Sequence, residues 1–460
     1  MTNAPDSADV RPLRRYFDSG VTRDYVWRRQ QLERLWQAIT DRQDAIHGAL
    51  YADLKKGAEE AYATETGLVL AEIRFLLKRL RSWMRPRRAG TNPVNWPASS
   101  RIYPDPLGVV LVIAPWNFPF QLSLLPLVAA IAAGNTVVLK PSELATATEA
   151  VIVDLLKDCL PADAVRVVRG DGVAVVPELI RNFRFDHIFF TGSTTAGRSV
   201  YRLAAEQLVP VTLELGGKSP VIVAPDADVS VAARRIVVGK FANAGQTCVA
   251  PDYLLVHAHL RDELLRRMQE CLLAFYGERP EDSPDYGRII SEKRFDHLVS
   301  LLSDGTVVQG GRHDRPGRFI APTLLTDVSP GSPLMQEEIF GPLLPVFTYS
   351  TNAEALAFVR RHPDPLAFYL FTNDRRLQRE WIGALPFGGG CINNTDWHFT
   401  NPHLPFGGIG NSGIGAYHGK YSLDRFSHAK PVMRSYTFID PGVKYPPFRG
   451  KMKWFKLFIR

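Results

Sequence analysis

Cysteine is scarce in this 460-residue chain. There are four, at 159, 248, 271 and 391, and no two are spaced C-x-x-C. That argues against a disulfide framework and against a zinc site, so no metal is expected, and a reducing, cytoplasmic setting fits. The opening MTNAPDSADV is polar, so no signal peptide is expected. Long apolar runs are also missing. The most apolar stretch, 122–133, holds Ser123 and Pro126, ends at Gly134 and is too short to span a bilayer. No internal repeat or low-complexity block occurs. The formal net charge of +8 is not spread over a nucleic-acid-binding face, because six of the charges lie in the last seventeen residues, KYPPFRGKMKWFKLFIR. A second basic run, 74–88, reads as the solvated face and end of a helix. No nucleic-acid partner is expected.

What is present is ordinary for a core-burying protein, with 45% hydrophobic and 22% charged residues and length for two large domains or three. Residues 8–84 read as mostly helical, with amphipathic stretches at 26–50 and 66–84. Residues 86–104, rich in Pro, Asn and Ser, read as a break. Strands at 108–114, 136–139, 165–168 and 187–190 then alternate with helices at 123–133, 145–159 and 173–182. This order predicts an α/β fold with a doubly wound parallel sheet. A second alternating region follows Glu214, with strands at 221–223 and 253–256 and helices at 229–241 and 260–275. Residues 405–415, PFGGIGNSGIG, are too Gly-rich for either regular element.

Six segments carry chemistry. In FANAGQTCVAPDYLLV, small and polar residues flank Cys248, and the Gly-rich LELGGKSP begins just upstream with Glu214 as its first acid. This reads as a thiol nucleophile with a carboxylate base. The other three thiols lie in apolar surroundings and read as core residues. In IAPWNFPF, Asn117 stands at a strand end beside Trp116, either as an oxyanion donor or as a turn former before Pro119. In TVVLKPSE, Lys140 and Glu143 stand at the C-terminal edge of the sheet. They would contact a ribose there, or simply belong to a helix start with Pro141 and Ser142 in its first turn. In IFFTGSTTAGRSV, Gly192, Ser193 and Gly197 open a helix, either facing a pyrophosphate or forming a tight turn. Thr194 breaks the G-x-G-x-x-G pattern. In QEEIFGPLLPV, Glu338 and Phe340 suit a second ribose and a flat ring, or an ordinary surface loop.

Taken in order, APWNFPF, GNTVVLKPSE, FTGSTTAGR, LELGGKSP, GQTCVAPDY, EEIFGP and PFGGIGNSG resemble the aldehyde dehydrogenase superfamily from about residue 10 to 440. GQTCVAPDY and GIGNSGIGAYHGKYSLDRFSH resemble its class 3 branch of fatty, aromatic and coniferyl-type aldehyde dehydrogenases. The resemblance implies a Rossmann-like cofactor domain (1–84 and 105–213), a second α/β catalytic domain (214–420) and a small β oligomerisation arm (85–104 and 421–445, with a β-like run at 431–438). It implies Cys248 as nucleophile, Glu214 as general base and Asn117 as oxyanion donor. Trp116, Lys140, Glu143, Gly192, Ser193, Gly197, Glu338 and Phe340 become cofactor contacts, with Glu338 also a candidate for proton transfer. It further implies NAD, with NADP also accepted, an aldehyde substrate and a homodimer.

The chain departs from that pattern at Phe118, where many class 3 members have Tyr. The bulky DWHFTNP at 396–402 falls where the resemblance implies the substrate entrance, and there it suggests a hydrophobic aldehyde. Residues 451–460 form a short basic amphipathic helix with Lys453, Lys456 and Arg460 on one side and Lys451 out of place. This tail (446–460) either makes weak peripheral membrane contact or packs over its own dimer or the substrate tunnel. Two other classes are less consistent with the chain. A cofactor-independent thiol hydrolase leaves Lys140, Glu143 and Glu338 without purpose. A structural protein without turnover has no need of Cys248, Asn117 and Glu214 together.

Overall fold

The computed structural model describes residues 9–459. The first eight residues, read above for a signal peptide, and Arg460 of the basic tail lie outside them. The N-terminal region is helical, but in pieces. Tyr25–Asp41 and Gln43–Leu54 are separate helices that meet at Arg42, and a π-helical turn, Tyr62–Thr66, precedes the helix Gly67–Trp83. Their apolar stripes, including Leu32, Leu35, Ile39, Val69, Ile73 and Leu76, are fully buried.

The first sheet has six strands in the order Gly413–Ile414, Val211–Glu214, His187–Thr191, Val109–Ile113, Thr136–Lys140, Val165–Val167. The last five run parallel, and Gly413–Ile414 adds an antiparallel edge beside Glu214. Val109–Ile113 and Thr136–Lys140 are buried at every position, which is why a parallel strand reads as an unbroken apolar run. The helix Pro119–Ala133 is likewise buried at every residue, so it is apolar all round rather than amphipathic. Register sets Ile113 opposite Lys140 and Thr191 opposite Glu214. The segments after these strands therefore leave from one edge of one sheet, where doubly wound folds bind ligands.

The second sheet has seven strands in the order Thr306–Gln309, Thr323–Thr326, Leu343–Tyr349, Tyr253–His257, Pro220–Val223, Ala367–Phe371, Gly389–Ile392. All its pairs are parallel except the first. A third, three-stranded antiparallel sheet joins Arg87–Ala89, Ala98–Pro106 and Ser427–Ser435.

Several expectations are corrected. Residues 86–104 are not simply a break, because they carry two strands of the third sheet. Their Pro and Ser are tolerated because the sheet is small and mostly exposed. The C-terminal arm strand is Ser427–Ser435, starting earlier than the apolar pattern suggested. The helix after Thr136–Lys140 begins at Thr146, so Pro141 and Ser142 lie in the preceding turn and not in its first turn. The Gly-rich 405–415 contributes the short strand Gly413–Ile414. Cys159, Cys271 and Cys391 are half-buried at the margin of the core rather than inside it. Among the described residues no helix is long and apolar enough to cross a membrane.

Candidate active site

Cys248 follows a strained turn. Asn243 and Ala244 have φ of 50° and 51°, and Gly245 has φ of 75°. A Cβ on Gly245 would stand 2.3 Å from the Gly341 carbonyl oxygen, so only glycine lets the Cys248 loop press against the EEIFGP loop. Buried Gln246 locks the turn. Its amide donates to the carbonyls of Asn243 (3.0 Å) and Arg288 (2.9 Å), and its oxygen accepts from Ile290 N–H (3.0 Å).

Asn117 is buried and stitched to the same turn. Its Nδ2 donates to the Gln246 carbonyl at 3.1 Å, and its own carbonyl accepts from Asn243 Nδ2 at 2.8 Å. Glu214 ends its strand fully enclosed, and neither carboxylate oxygen has a hydrogen-bond partner. Burial pushes its carboxyl well above the usual range, against the pull of Arg425. Cys248 is half-buried. Burial, then the negative charges of Glu338, Glu214 and Asp396, push its thiol well up, so the resting group is a neutral thiol. Tyr417 lies in the same chamber, where burial and the charges of Glu214 and Cys248 raise its phenol far above 10.

Glu338 lies against LELGGKSP. A Cβ on Gly216 would sit 1.8 Å from Glu338 Oε2, and the Gly217 N–H donates to the carboxylate. Burial and Asp252 push Glu338 up to about 8. Phe340, at φ 47°, sets its ring edge-on to Trp116 with centroids 5.3 Å apart. Lys140, buried at its strand end, pairs with Glu143 and donates to the Pro141 carbonyl at 2.8 Å. Glu143 also accepts from Gly172 N–H at 3.2 Å. Burial pushes Glu143 up, but the hydrogen bond and charge of Lys140 together with backbone N–H donors, Gly172 among them, outweigh it and hold the carboxyl below its ordinary value. Ser193 caps the helix Thr194–Glu206 by accepting from Ala196 N–H at 3.3 Å. Gly192 and Gly197 are required by packing, since a Cβ on them would stand 2.7 Å from the Phe190 ring and 2.6 Å from Leu215. Beside them, buried Thr191 Oγ1 has no partner.

The expected residues thus form two groups. Cys248, Glu214, Asn117 and Glu338 share one chamber, while Lys140 and Glu143 stand further along the sheet edge beyond Trp116. Sequence reasoning missed the charges that hold these loops. Lys218 pairs with Asp252 in the interior and donates to the carbonyls of Leu334 (3.1 Å) and Glu337 (2.9 Å), while Asp252 accepts from Ile339 N–H (2.8 Å). This one pair ties together LELGGKSP, GQTCVAPDY and EEIFGP. Both residues stood inside motifs already singled out, which was the available signal. A second missed pair, Lys56 and Glu65, lies behind Asn117.

A cavity of about 120 Å³ lies near the chamber, with Glu72 in its wall acting on Tyr417 as Glu214 and Cys248 do. Its wall is mostly apolar, with Leu68, Phe75, Leu125 and Phe399, interrupted by Glu72 and His418. Gln121, four residues beyond Asn117, and His418, next to Tyr417, also line it.

A family model described as "Aldehyde dehydrogenase family" matches residues 21–432. The chain is 47% identical over 447 residues to the 4,4'-diaponeurosporen-aldehyde dehydrogenase of Staphylococcus aureus, covering 97% of each protein. It is 46% identical over 456 residues to aldehyde dehydrogenase family 3 member H1 of Arabidopsis thaliana, covering 98% of this chain and 94% of the relative. The solved substrate-bound state of Staphylococcus aureus AldH superposes with a TM-score of 0.96 at 46% identity, covering 98% of each chain.

Proposed function

This chain belongs to the aldehyde dehydrogenase family, in its class 3 branch, and is an NAD(P)-dependent enzyme that oxidises aldehydes; on that premise we propose that Cys248 is its nucleophile, Glu214 its general base and Asn117 its oxyanion donor. The observation that carries this reading is the enclosed, unpartnered carboxylate of Glu214 in the chamber of Cys248. A buried carboxylate without a partner costs several kcal/mol and earns its place when it must move a proton.

Once ionised, the Glu214 carboxylate is a stronger base toward water than an exposed one, because burial disfavours its charge. The Cys248 thiol gives its proton to the carboxylate of Glu338, and attack of Sγ on the carbonyl carbon yields the thiohemiacetal as its oxyanion. Its oxyanion is held by the backbone N–H of Cys248 and by Asn117 Nδ2, which has a second N–H to donate besides the one on the Gln246 carbonyl. One such donor is typically worth ~3 kcal/mol. A bound nicotinamide supplies acceptance of hydride and a positive charge. Once Cys248 carries the thioester, Glu214 takes a proton from water, the resulting hydroxide adds to the thioester carbon, and the carboxylic acid leaves the sulfur. Glu338 is the second carboxylate within reach and shares proton transfer in this reading.

For the cofactor, Trp116 and Phe340 offer a flat aromatic corner, and Thr191 Oγ1 is a buried group awaiting a partner. Lys140 and Glu143 offer a donor and an acceptor for a ribose, and Gly192, Ser193 and Gly197 shape the turn beneath the dinucleotide. Glu143, kept ionised by Lys140, disfavours a 2′-phosphate, so NAD is preferred over NADP. The apolar cavity suits a hydrophobic aliphatic or aromatic aldehyde.

The division into cofactor domain, catalytic domain and arm is supported by the three sheets, although Gly413–Ile414, inside 214–420, pairs in the first of them. A homodimer through the arm is supported by Ser427–Ser435, which pairs on one side only and leaves a nine-residue edge open with Val432 and Met433 exposed. Peripheral membrane contact is supported by the helix Met452–Phe458, on which Met452, Trp454 and Leu457 are all more than half exposed. Four free thiols fit a reducing, cytoplasmic setting.

Cys248→Ala is expected to abolish aldehyde-dependent absorbance change at 340 nm while a fluorescence titration still registers the cofactor. Retained turnover in that variant would remove the mechanism.

A further inference from the structure

The side chains of Lys56 and Glu65 are both wholly buried, and Lys56 Nζ stands 2.6 Å from Glu65 Oε1. An ion pair so enclosed is a weak source of stability, because apolar side chains of similar volume often serve a core as well or better. Its contacts run along one short stretch of chain. The ammonium reaches the Asn117 carbonyl at 3.5 Å and lies 4.2 Å from the centre of the Phe118 ring. The other carboxylate oxygen, Oε2, accepts from the backbone N–H groups of Phe120 (3.0 Å) and Gln121 (2.8 Å). These are otherwise unpaired donors at the start of the helix Pro119–Ala133, and Pro119 has no N–H to offer. The pair therefore grips residues 117 to 121 at both ends, and Asn117 lies in the irregular segment between a strand and a helix, where no ladder fixes it.

The backbone delivers Glu65 by an unusual device. Residues Tyr62–Thr66 form a π-helical turn, with the Gly67 N–H bonded to the Tyr62 carbonyl. A Cβ on Gly67 would stand 2.6 Å from that carbonyl oxygen. The extra residue of a π turn rotates what precedes it relative to the stripe that follows, and such turns cluster at functional sites. Here it brings a carboxylate into the interior from a helix whose next turns are apolar.

We propose that the buried Lys56–Glu65 pair is a positioning element for the oxyanion donor, acting on kcat through Asn117 and not on the binding of aldehyde or cofactor. This rests on the reading of Asn117 given above. The test is a double-mutant cycle on the full chain with Lys56→Met, Asn117→Ala and the double variant, each measured for kcat, aldehyde KM and NAD affinity. Asn117→Ala is expected to lower kcat by about 100-fold or more. Lys56→Met is expected to lower it by about tenfold or more in the parent background, with KM and NAD affinity within about twofold. In the Asn117→Ala background its effect is expected to shrink to less than about twofold, and Lys56→Arg is expected to recover part of the loss. Equal fold losses in both backgrounds would overturn the proposal and leave a purely structural pair, as would parent-level kcat in Lys56→Met. Parent-level kcat in Asn117→Ala would instead remove the Asn117 reading itself, and with it the proposal. If Lys56→Met does not fold, Glu65→Gln, of the same shape, takes its place in the cycle with the same expected and refuting outcomes.

Discussion

Glu72→Gln is expected to stabilise the enzyme in alkali and to leave it nearly unchanged in acid. Glu72 lines the cavity beside the chamber and accepts a hydrogen bond from Gly419 N–H at 3.0 Å. Burial pushes its carboxyl from the ordinary 4.5 up to about 7. A carboxyl raised in the folded state favours folding in its protonated form. That contribution is complete below about 4.5 and is lost as pH climbs through about 7. Glutamine keeps an oxygen for Gly419 and has no proton to lose. At about 1.4 kcal/mol for each pH unit between the two values, the variant gains roughly 3 kcal/mol at pH 8 and about half that at pH 5.5. Unfolding entropy near 2.1 cal/mol/K per residue comes to about 1 kcal/mol/K for a chain of this length, so the midpoint rises by about 3 °C at pH 8. Thermal melts of both proteins at the two pH values read this directly. If the cavity takes the tail of the aldehyde, as proposed, an ionised Glu72 would face it. KM for an apolar aldehyde is expected to rise between pH 6 and 8 in the parent and to stay flat in the variant. Equal midpoint shifts at both pH values, or a lower midpoint for Glu72→Gln at pH 8, would refute the reasoning.

Three further outcomes follow from the site and the tail. Glu214→Gln should still form reduced cofactor in a rapid first turnover but stall as an acyl-enzyme visible by mass spectrometry; absence of both burst and adduct would move the base elsewhere. Glu338→Gln should slow hydride transfer yet, above about pH 8 where the parent's Glu338 is ionised, speed alkylation of Cys248 by iodoacetamide, since the largest negative charge acting on that thiol is gone; slower alkylation there would contradict it. A chain ending at Pro447 should lose any salt-sensitive co-sedimentation with anionic vesicles, and equal sedimentation of both chains, or none by the full chain at low salt, would assign the tail a packing role instead.

The central strands were legible because a parallel strand buried on both faces must be apolar throughout, as in Val109–Ile113. The arm was less so. Ala98–Pro106 is half-exposed and rich in Ser and Pro, and its partner Ser427–Ser435 is over three hundred residues away. Glu214, Cys248 and Asn117 were legible as reactive types in motif order, though the unpartnered state of Glu214 depends on what surrounds it in space. Lys56 and Glu65 were not legible at all. Charged residues in a helical region default to solvent, and the one-residue insertion that turns Glu65 inward leaves no mark in a 3.6-residue pattern. Lys451, out of place on the helical wheel, is tethered to the carbonyls of Gly442 and Tyr445 at 2.7 Å, so its position serves the local fold of the tail.

The antiparallel neighbour of the strand ending in Glu214 is Gly413–Ile414, and the arm strand at 98–106 is completed by Ser427–Ser435. Both pairings wait for the last part of the chain. At a synthesis rate of about 5–20 residues per second, the first sheet emerges from the ribosome roughly 10–40 s before its closing strand. Throughout that interval the strand ending in Glu214 is an open edge, able to pair with another nascent chain. The enzyme is therefore born with an aggregation risk at that strand, and its yield in a cell depends on whatever shields the edge until residue 414 arrives.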